Sequence, residues 1–139
     1  MNYELNKLVS IVIVTAGAKD YLYRCLDSIK AQSYSNPEVI VINNSSDTDF
    51  SAKIPAYLNS IRLYSYPENA FYCASLNKGI ELSRGEFILC LNDDVVLDKE
   101  FIREALKGFF LKESIGMVSG KILRQDGLTL DSTGLSLSI

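Results

Sequence analysis

A chain of 139 residues, 47% hydrophobic and 22% charged, has room for one domain with a buried core. Its formal net charge is −3 and its fourteen basic residues are scattered, so neither nucleic acid nor an anionic membrane surface is indicated. There is no histidine, which removes Ser-His-Asp and Cys-His hydrolases, the common zinc sites and any histidine general base. Proton transfer is left to a carboxylate, lysine or tyrosine. Cys25, Cys73 and Cys90 form no Cys-x-x-Cys pair, so they read as buried reduced thiols rather than a zinc knuckle or redox site. No apolar run is long enough to span a bilayer. The N-terminal residues Met1 to Lys7 are too polar for the core of a signal peptide, and a cytoplasmic location is expected.

Leu8 to Thr15 is β-branched and almost continuously apolar, the composition of a buried strand. Asp20 is placed to cap a helix in which Leu22, Cys25, Leu26 and Ile29 recur at i, i+3, i+4 and i+7. Asn36-Pro37 punctuates the chain before a second strand, Glu38 to Ile42. A polar loop, Asn43 to Asp49, leads into a weak helical segment near Ser51 to Leu58. Ile61 to Tyr66 reads as a third strand, ended by Pro67. Tyr72 to Leu82 is helical, with Leu76 and Ile80 on one face, and Arg84-Gly85 stops it. After the next strand, Asp98 caps a helix that turns Phe101, Ile102, Ala105, Leu106 and Phe109 inward. Ile115 to Leu123 suggests one more strand, broken near Gly120. Alternating strands and helices imply an α/β fold: a mostly parallel Rossmann-like sheet with helices on both faces. All 139 residues are expected to form a single domain.

The chemistry concentrates at the end of Gly85-Glu86-Phe87-Ile88-Leu89-Cys90-Leu91-Asn92-Asp93-Asp94-Val95. A continuous apolar run predicts a central strand with both faces covered, and open α/β sheets bind ligands at the C-terminal ends of such strands. Adjacent carboxylates repel one another, and a hard divalent cation with oxygen ligands would relieve that repulsion while holding substrate phosphates. Asn and Asp also make turns and helix caps, so a plain strand-to-helix turn is the alternative. In this topology the loops at Thr15 to Ala18, Asn43 to Asp47 and Asn92 to Asp94 gather at one edge. The first is small, the second rich in amides and hydroxyls, and the third anionic. Neither Gly-x-Gly-x-x-Gly nor a P-loop is present, which leaves a metal as the route to anchoring a diphosphate.

These motifs resemble those of family 2 glycosyltransferases of the GT-A fold. Val9 to Thr15 with Tyr21 to Tyr34 is similar to the family's opening, and Glu38 to Asp47 to its second strand and nucleoside-contacting loop. Glu68-Asn69 through Asn77-Lys78-Gly79-Ile80 and Gly85 through Asp94 resemble its helix and DxD segments. The subgroup resembled is the rhamnosyltransferase-like one, in its N-terminal nucleotide-sugar-binding part. The resemblance implies metal-dependent binding of a nucleotide-diphospho-sugar for transfer to a saccharide acceptor, with Mn²⁺ or Mg²⁺. It puts Thr15 and Ala16 beside the base, Asn44 and Ser46 in the base-reading loop, Asn77 on the donor side and Asp93 on a ribose hydroxyl. Asp94 falls on the metal-ligand position and Asn92 on the first, more variable DxD position. The chain departs from the pattern at Gly17-Ala18, at Asn43 and at Phe71, which stands where the subgroup often has glycine. Against these assignments, Asn44 and Ser46 could form an Asx-turn and Asn77 could lie on a helix surface. Lys78 reads as solvated, and Tyr21, Tyr34 and Tyr72 as packing residues.

Inverting members of the family use a carboxylate base well after the DxD segment, and Asp126 and Asp131 come too early to be it. The resemblance therefore implies a donor-binding part, truncated before the acceptor half and inactive alone. A non-catalytic binding or assembly module and a sugar-phosphate nucleotidyltransferase relative are the alternative readings. In the tail, Leu128 and Leu130, then Leu135, Leu137 and Ile139, alternate with polar residues. That period predicts strands with one apolar face, which pair with a second copy to form a homodimer; the alternative is a tail that folds back on its own sheet or stays disordered.

Overall fold

The computed structural model describes residues 6–124 and 126–132. Its centre is a parallel sheet of β1 (Val9–Thr15), β2 (Pro37–Asn43), β3 (Arg62–Ser65) and β4 (Phe87–Asn92), in the order β3-β2-β1-β4. Every residue of β1 is buried, as its unbroken apolar sequence demands of a strand covered on both faces. The connections run through α1 (Asp20–Lys30), α2 (Phe50–Lys53) with a 3₁₀ turn at Leu58–Ser60, and α3 (Tyr72–Leu82). After β4 comes α4 (Phe101–Phe109).

Strand alternation divides the core in two. Val9, Ile11, Ile13, Val39 and Val41 pack against Leu22, Cys25, Leu26 and Ile29 of α1 and against Ile102 and Leu106 of α4. Val12, Val14, Ile40 and Ile42 point the other way, where Leu76 and Leu82 of α3 cover them. Helices thus lie on both faces, as the alternation of signals predicts.

A polar node fixes where the strands begin. Ser10 is fully buried. Its hydroxyl donates to Glu38 Oε1 at 2.5 Å and accepts the Gly85 and Arg84 N–H groups at 2.8 and 3.2 Å. Glu38 also accepts from the Arg84 N–H at 2.7 Å and from the Arg62 guanidinium at 3.2 Å. One buried hydroxyl and one carboxylate therefore tie the N-terminal ends of β1 and β2 to the turn that launches β4. Burial pushes the Glu38 carboxyl up, but the Ser10, Arg84 and Arg62 contacts outweigh it and hold the group below its ordinary value. At the opposite ends the register brings Thr15 beside Asn43, Asn43 beside Ser65 and Val14 beside Asn92. All the loops expected to carry chemistry leave the sheet from that edge.

Several expectations are corrected. Among the described residues β4 is an edge strand rather than a central one. Its alternate residues Ile88 and Cys90 are exposed, because α3 lies over β1 and β2 and leaves that face of β4 open. Of the cysteines, Cys25 is buried, whereas Cys73 and Cys90 are exposed thiols. Asp20 sits inside α1, whose N-cap is Lys19, and makes no capping bond. Asp98 likewise precedes the cap: its carboxylate accepts the Glu100 N–H at 2.9 Å, and Glu100 is the N-cap of α4. In α3 the buried positions are Ser75 and Gly79, with Ile80 on the exposed flank. The last predicted strand shrinks to β5 (Ile122–Leu123), which pairs antiparallel with β6 (Leu130–Ser132) and does not join the main sheet. Asp126 and Arg124 explain that hairpin. The Asp126 carboxylate accepts from the Leu128 and Thr129 N–H groups at 2.9 and 2.8 Å, and Arg124 pairs with Asp131 at 3.2 Å. Leu135, Leu137 and Ile139 of the predicted tail strand, and Met1 to Leu5 of the leader reading, lie outside the described residues.

Candidate functional site

A cavity of about 420 Å³ opens at the C-terminal edge of the sheet, between the ends of β1, β2 and β4 and the start of α3. Its first wall comes from β1. The Thr15 side chain is buried; its hydroxyl donates to the Gly17 carbonyl at 2.8 Å and accepts the Gly17 N–H at 3.3 Å. Gly17 has φ +138°, a conformation open to glycine and strained for other residues. The chain therefore turns sharply and leaves Ala16 exposed at the cavity wall, where a ligand can approach the backbone.

The second wall is an amide network. Asn43 is fully buried; its Oδ1 accepts the Ser45 N–H at 3.1 Å and the Ser45 hydroxyl at 2.6 Å. The Asx-turn considered for Asn44 and Ser46 is thus made by Asn43 and Ser45. Asn44 instead reaches across to the β3–α3 loop. Its Nδ2 donates to Asn69 Oδ1 at 3.0 Å and its Oδ1 accepts the Ala70 N–H at 2.7 Å. Its backbone N–H bonds the Thr15 carbonyl at 2.8 Å, so the first two walls are pinned together. An amide has two donor hydrogens and two acceptor lone pairs, so one of each stays available on Asn44.

The third wall carries the charge. Asn92, Asp93 and Asp94 close the end of β4, with Asn92 and Asp94 exposed and Asp93 half-buried. The Tyr72 hydroxyl, on the first turn of α3, donates to Asn92 Oδ1 at 3.0 Å. Beneath this loop the Cys25 thiol lies 3.7 Å from the Asn92 carbonyl. Burial, and then the charges of Asp93 and Asp94, push that thiol up to about 12, so it stays protonated and inert. Burial also raises the Tyr72 phenol, with Cys90, Cys73 and Asp93 adding to it. Among the described residues no lysine or arginine lines the cavity. A diphosphate entering it would therefore face two carboxylates with no protein cation to balance them.

Of the residues singled out from the sequence, Thr15, Ala16, Asn44, Asn92, Asp93 and Asp94 come together around this cavity. Ser46 and Asn77 do not line it: Ser46 is turned to solvent by the Asn43 turn, and Asn77 lies on the exposed side of α3, two residues from each of the buried Ser75 and Gly79. Lys78 is held by Glu81 at 3.0 Å and lies over the Tyr64 ring. Tyr34 is a packing residue whose hydroxyl donates to the Lys7 carbonyl. Tyr21 and Tyr72, read as packing residues, line the cavity, as do Asn69 and Phe71. No local signal in the sequence separates those aromatics from core ones.

Residues 10–132 match the family model described as glycosyl transferase family 2. The chain belongs to that family. The glycosyltransferase GlyA of Streptococcus pneumoniae is 28% identical to it over 102 residues, covering 71% of this chain and 14% of the relative. An uncharacterized glycosyltransferase of Rickettsia typhi is 36% identical over 87 residues, covering 63% of this chain and 27% of its own length. The chain thus spans less than a third of these family 2 relatives. Among solved structures, the mannosyltransferase PcManGT of Pyrobaculum calidifontis, in complex with GDP-Man and Mn²⁺, superposes with a TM-score of 0.66 at 18% identity. It is matched over 73% of this chain and 32% of that one. Residues 1–349 of Staphylococcus aureus TarS, in complex with UDP-GlcNAc, give a TM-score of 0.68 at 20% identity, over 84% of this chain and 37% of that one. These likenesses show the GT-A-type parallel sheet with flanking helices.

Proposed function

We propose that this chain is the donor-binding part of an inverting glycosyltransferase of the rhamnosyltransferase-like subgroup. It takes a nucleotide-diphospho-sugar through Mn²⁺ or Mg²⁺, and a saccharide is the acceptor of the whole enzyme. The observation that carries this reading is the division of one cavity. A neutral amide wall at Asn44 and Asn69 stands opposite an acidic wall at Asp93 and Asp94, with no cationic side chain between them among the described residues.

The donor set fits a hard cation. Asp94 offers an exposed carboxylate and Asn92 an amide oxygen, and Mg²⁺-type sites commonly use one or two carboxylates completed by substrate phosphates and water. Among the described residues no group of three or more His, Cys, Asp or Glu is arranged to hold a metal alone. Ligand oxygens would thus complete the shell, which makes metal and nucleotide binding mutually dependent. A bound cation supplies charge neutralisation of the departing nucleoside diphosphate. The chain's own residues do the remaining work. Ala16 and the Thr15 turn let the base lie against backbone, Asn44 reads its edge, and Asp93 accepts from a ribose hydroxyl. The Tyr72 hydroxyl orients the Asn92 amide.

Residues 1–139 act as one such unit, with a cytoplasmic site of action. Among the described residues no helix is long and apolar enough to cross a membrane. Donor binding without transfer is the expected behaviour of the isolated chain. Supporting it, the carboxylates after β5 are engaged in the hairpin, Asp126 with Thr129 and Asp131 with Arg124.

Calorimetry with UDP, GDP and dTDP, each with and without Mn²⁺, tests the reading. One nucleotide should bind with metal and bind far more weakly without it. Asp94→Ala should remove the metal dependence and leave the fold intact, since Asp94 is exposed. Equal affinity with and without metal, or no binding of any nucleotide, would refute it.

A further inference from the structure

Phe71 combines two unfavourable features at the mouth of the cavity. Its side chain is 79% exposed, among the highest values for a large apolar residue here. Its backbone sits at φ 62° and ψ 161°, and it is the sole non-glycine residue with positive φ among those described. That region of backbone space is essentially glycine's own, and residues persist there only when their surroundings hold them. The surroundings do so. The Phe71 N–H donates to Asn69 Oδ1 at 2.8 Å, and its carbonyl accepts from the Ser75 N–H at 3.1 Å and the Ser75 hydroxyl at 2.8 Å. An isolated exposed aromatic needs no explanation. An exposed aromatic forced into a glycine conformation beside a cavity gains nothing for stability from either its ring or its backbone.

Resting on the donor-site reading above, we propose that Phe71 is a specificity-determining residue whose ring stacks on the nucleobase of the donor. The base is the right part of the ligand on two grounds. The Phe71 backbone N–H is bonded to Asn69, which pairs with Asn44, so the residue is anchored at the amide end of the cavity it lines. Those amides match the donor and acceptor pattern of a base edge, whereas the charged diphosphate belongs with Asp93 and Asp94 on the other wall. A base also offers a flat π-face, and aromatic stacking on a base contributes enough that truncating the ring weakens binding about tenfold or more. Glycine would satisfy the backbone and leave the base without that platform.

The test compares wild type, Phe71→Gly and Phe71→Tyr in thermal melts and in calorimetry with the preferred nucleoside diphosphate and the matching nucleotide sugar. Phe71→Gly should raise Tm, because the strain is relieved, and yet bind the free nucleoside diphosphate about tenfold more weakly. Phe71→Tyr should retain the affinity. Unchanged nucleotide affinity in Phe71→Gly would overturn the proposal while leaving the donor site standing. So would a loss confined to the nucleotide sugar, which would move the ring's contact to the sugar. A lowered Tm together with lost binding would show a collapsed loop and refute the stacking role. If wild type binds none of the nucleotides, both this inference and the donor-site reading fall.

Discussion

Gly79→Ala is the substitution that most directly probes how the site is held. Gly79 is buried in α3 and faces β1, and a Cβ placed there would lie 2.1 Å from Val12 Cγ1, 3.3 Å from Val12 Cβ and 3.4 Å from Ile42 Cγ1. Ordinary carbon contacts begin near about 3.5 Å, so the shortfall against Val12 is about 1.4 Å. Val12 is fully buried in β1 and has no room to retreat. The helix must ride outward or the valine must leave its rotamer, and overpacking of this kind costs about 1–3 kcal/mol. The top of that range applies because the nearest contact is so short, and alanine's better helix propensity returns about 1 kcal/mol. The net expectation is a loss of about 2 kcal/mol, or a urea midpoint lower by about 1 M. Equilibrium denaturation of Gly79→Ala, Val12→Ala and the double variant measures it. The double variant should recover much of the loss, giving a favourable coupling, because the smaller residue at position 12 makes the space. Donor affinity should fall in Gly79→Ala as well, since Phe71 and Tyr72 ride on the first turn of the same helix. If Gly79→Ala is as stable as wild type and the coupling is zero, the packing account of α3 is wrong.

Other expectations follow from the polar nodes. A carboxyl held below its ordinary value in the folded chain favours folding above its unfolded pKa, and that contribution disappears as pH falls through the folded one. Glu38 is such a group, so stability should drop below about pH 4.3, and Glu38→Gln should flatten that acid limb in pH-dependent melts. Asn43→Ala strands the Ser45 groups that Asn43 satisfies. It should cost about 1–3 kcal/mol in denaturant titrations and weaken nucleotide binding by loosening the wall that carries Asn44. On the proposed donor-binding reading, the isolated chain should transfer sugar slowly if at all, since lack of a general base costs about 10²–10⁴-fold; robust transfer to a saccharide would overturn that part of the proposal. Leu128 and Leu130 are exposed on the hairpin, so sedimentation of the intact chain should show a concentration-dependent dimer that a chain ending at Gly127 lacks.

What the sequence made legible was whatever one element decides by itself. The unbroken β-branched run at Val9–Thr15 could only be a covered strand, and its register then brings Asn43 and Asn92 to the same edge. That is why the loops at Thr15 to Ala18, Asn43 to Asp47 and Asn92 to Asp94 could be placed at one edge before any fold was known, whereas the single residues chosen within them came from the family resemblance. Features that depend on two elements meeting were hidden. An apolar strand reads as central whether or not a neighbour follows, so the open side of β4 was invisible in Phe87–Asn92. Asp20 and Asp98 have the chemistry of caps, yet the backbone starts each helix one or two residues away from where that chemistry would place it.

The aromatics show the same limit from the functional side. Nothing local in the sequence separates Tyr34, in the connection between α1 and β2, from Tyr72, which opens α3. The first is buried against the Lys7 carbonyl; the second reaches Asn92 across the cavity. What separates them is where α3 lands on the sheet, and Gly79 sets that by allowing close approach to Val12. The glycine that brings the helix down and the phenylalanine that occupies a glycine conformation eight residues earlier therefore act on one object. Close packing at Gly79 positions the first turn of α3, and the bonds from Asn69 and Ser75 hold Phe71 in its strained geometry at the start of that turn. Loosening the first should relax the second, so Gly79→Ala should diminish the gain in Tm that Phe71→Gly brings to the wild-type chain.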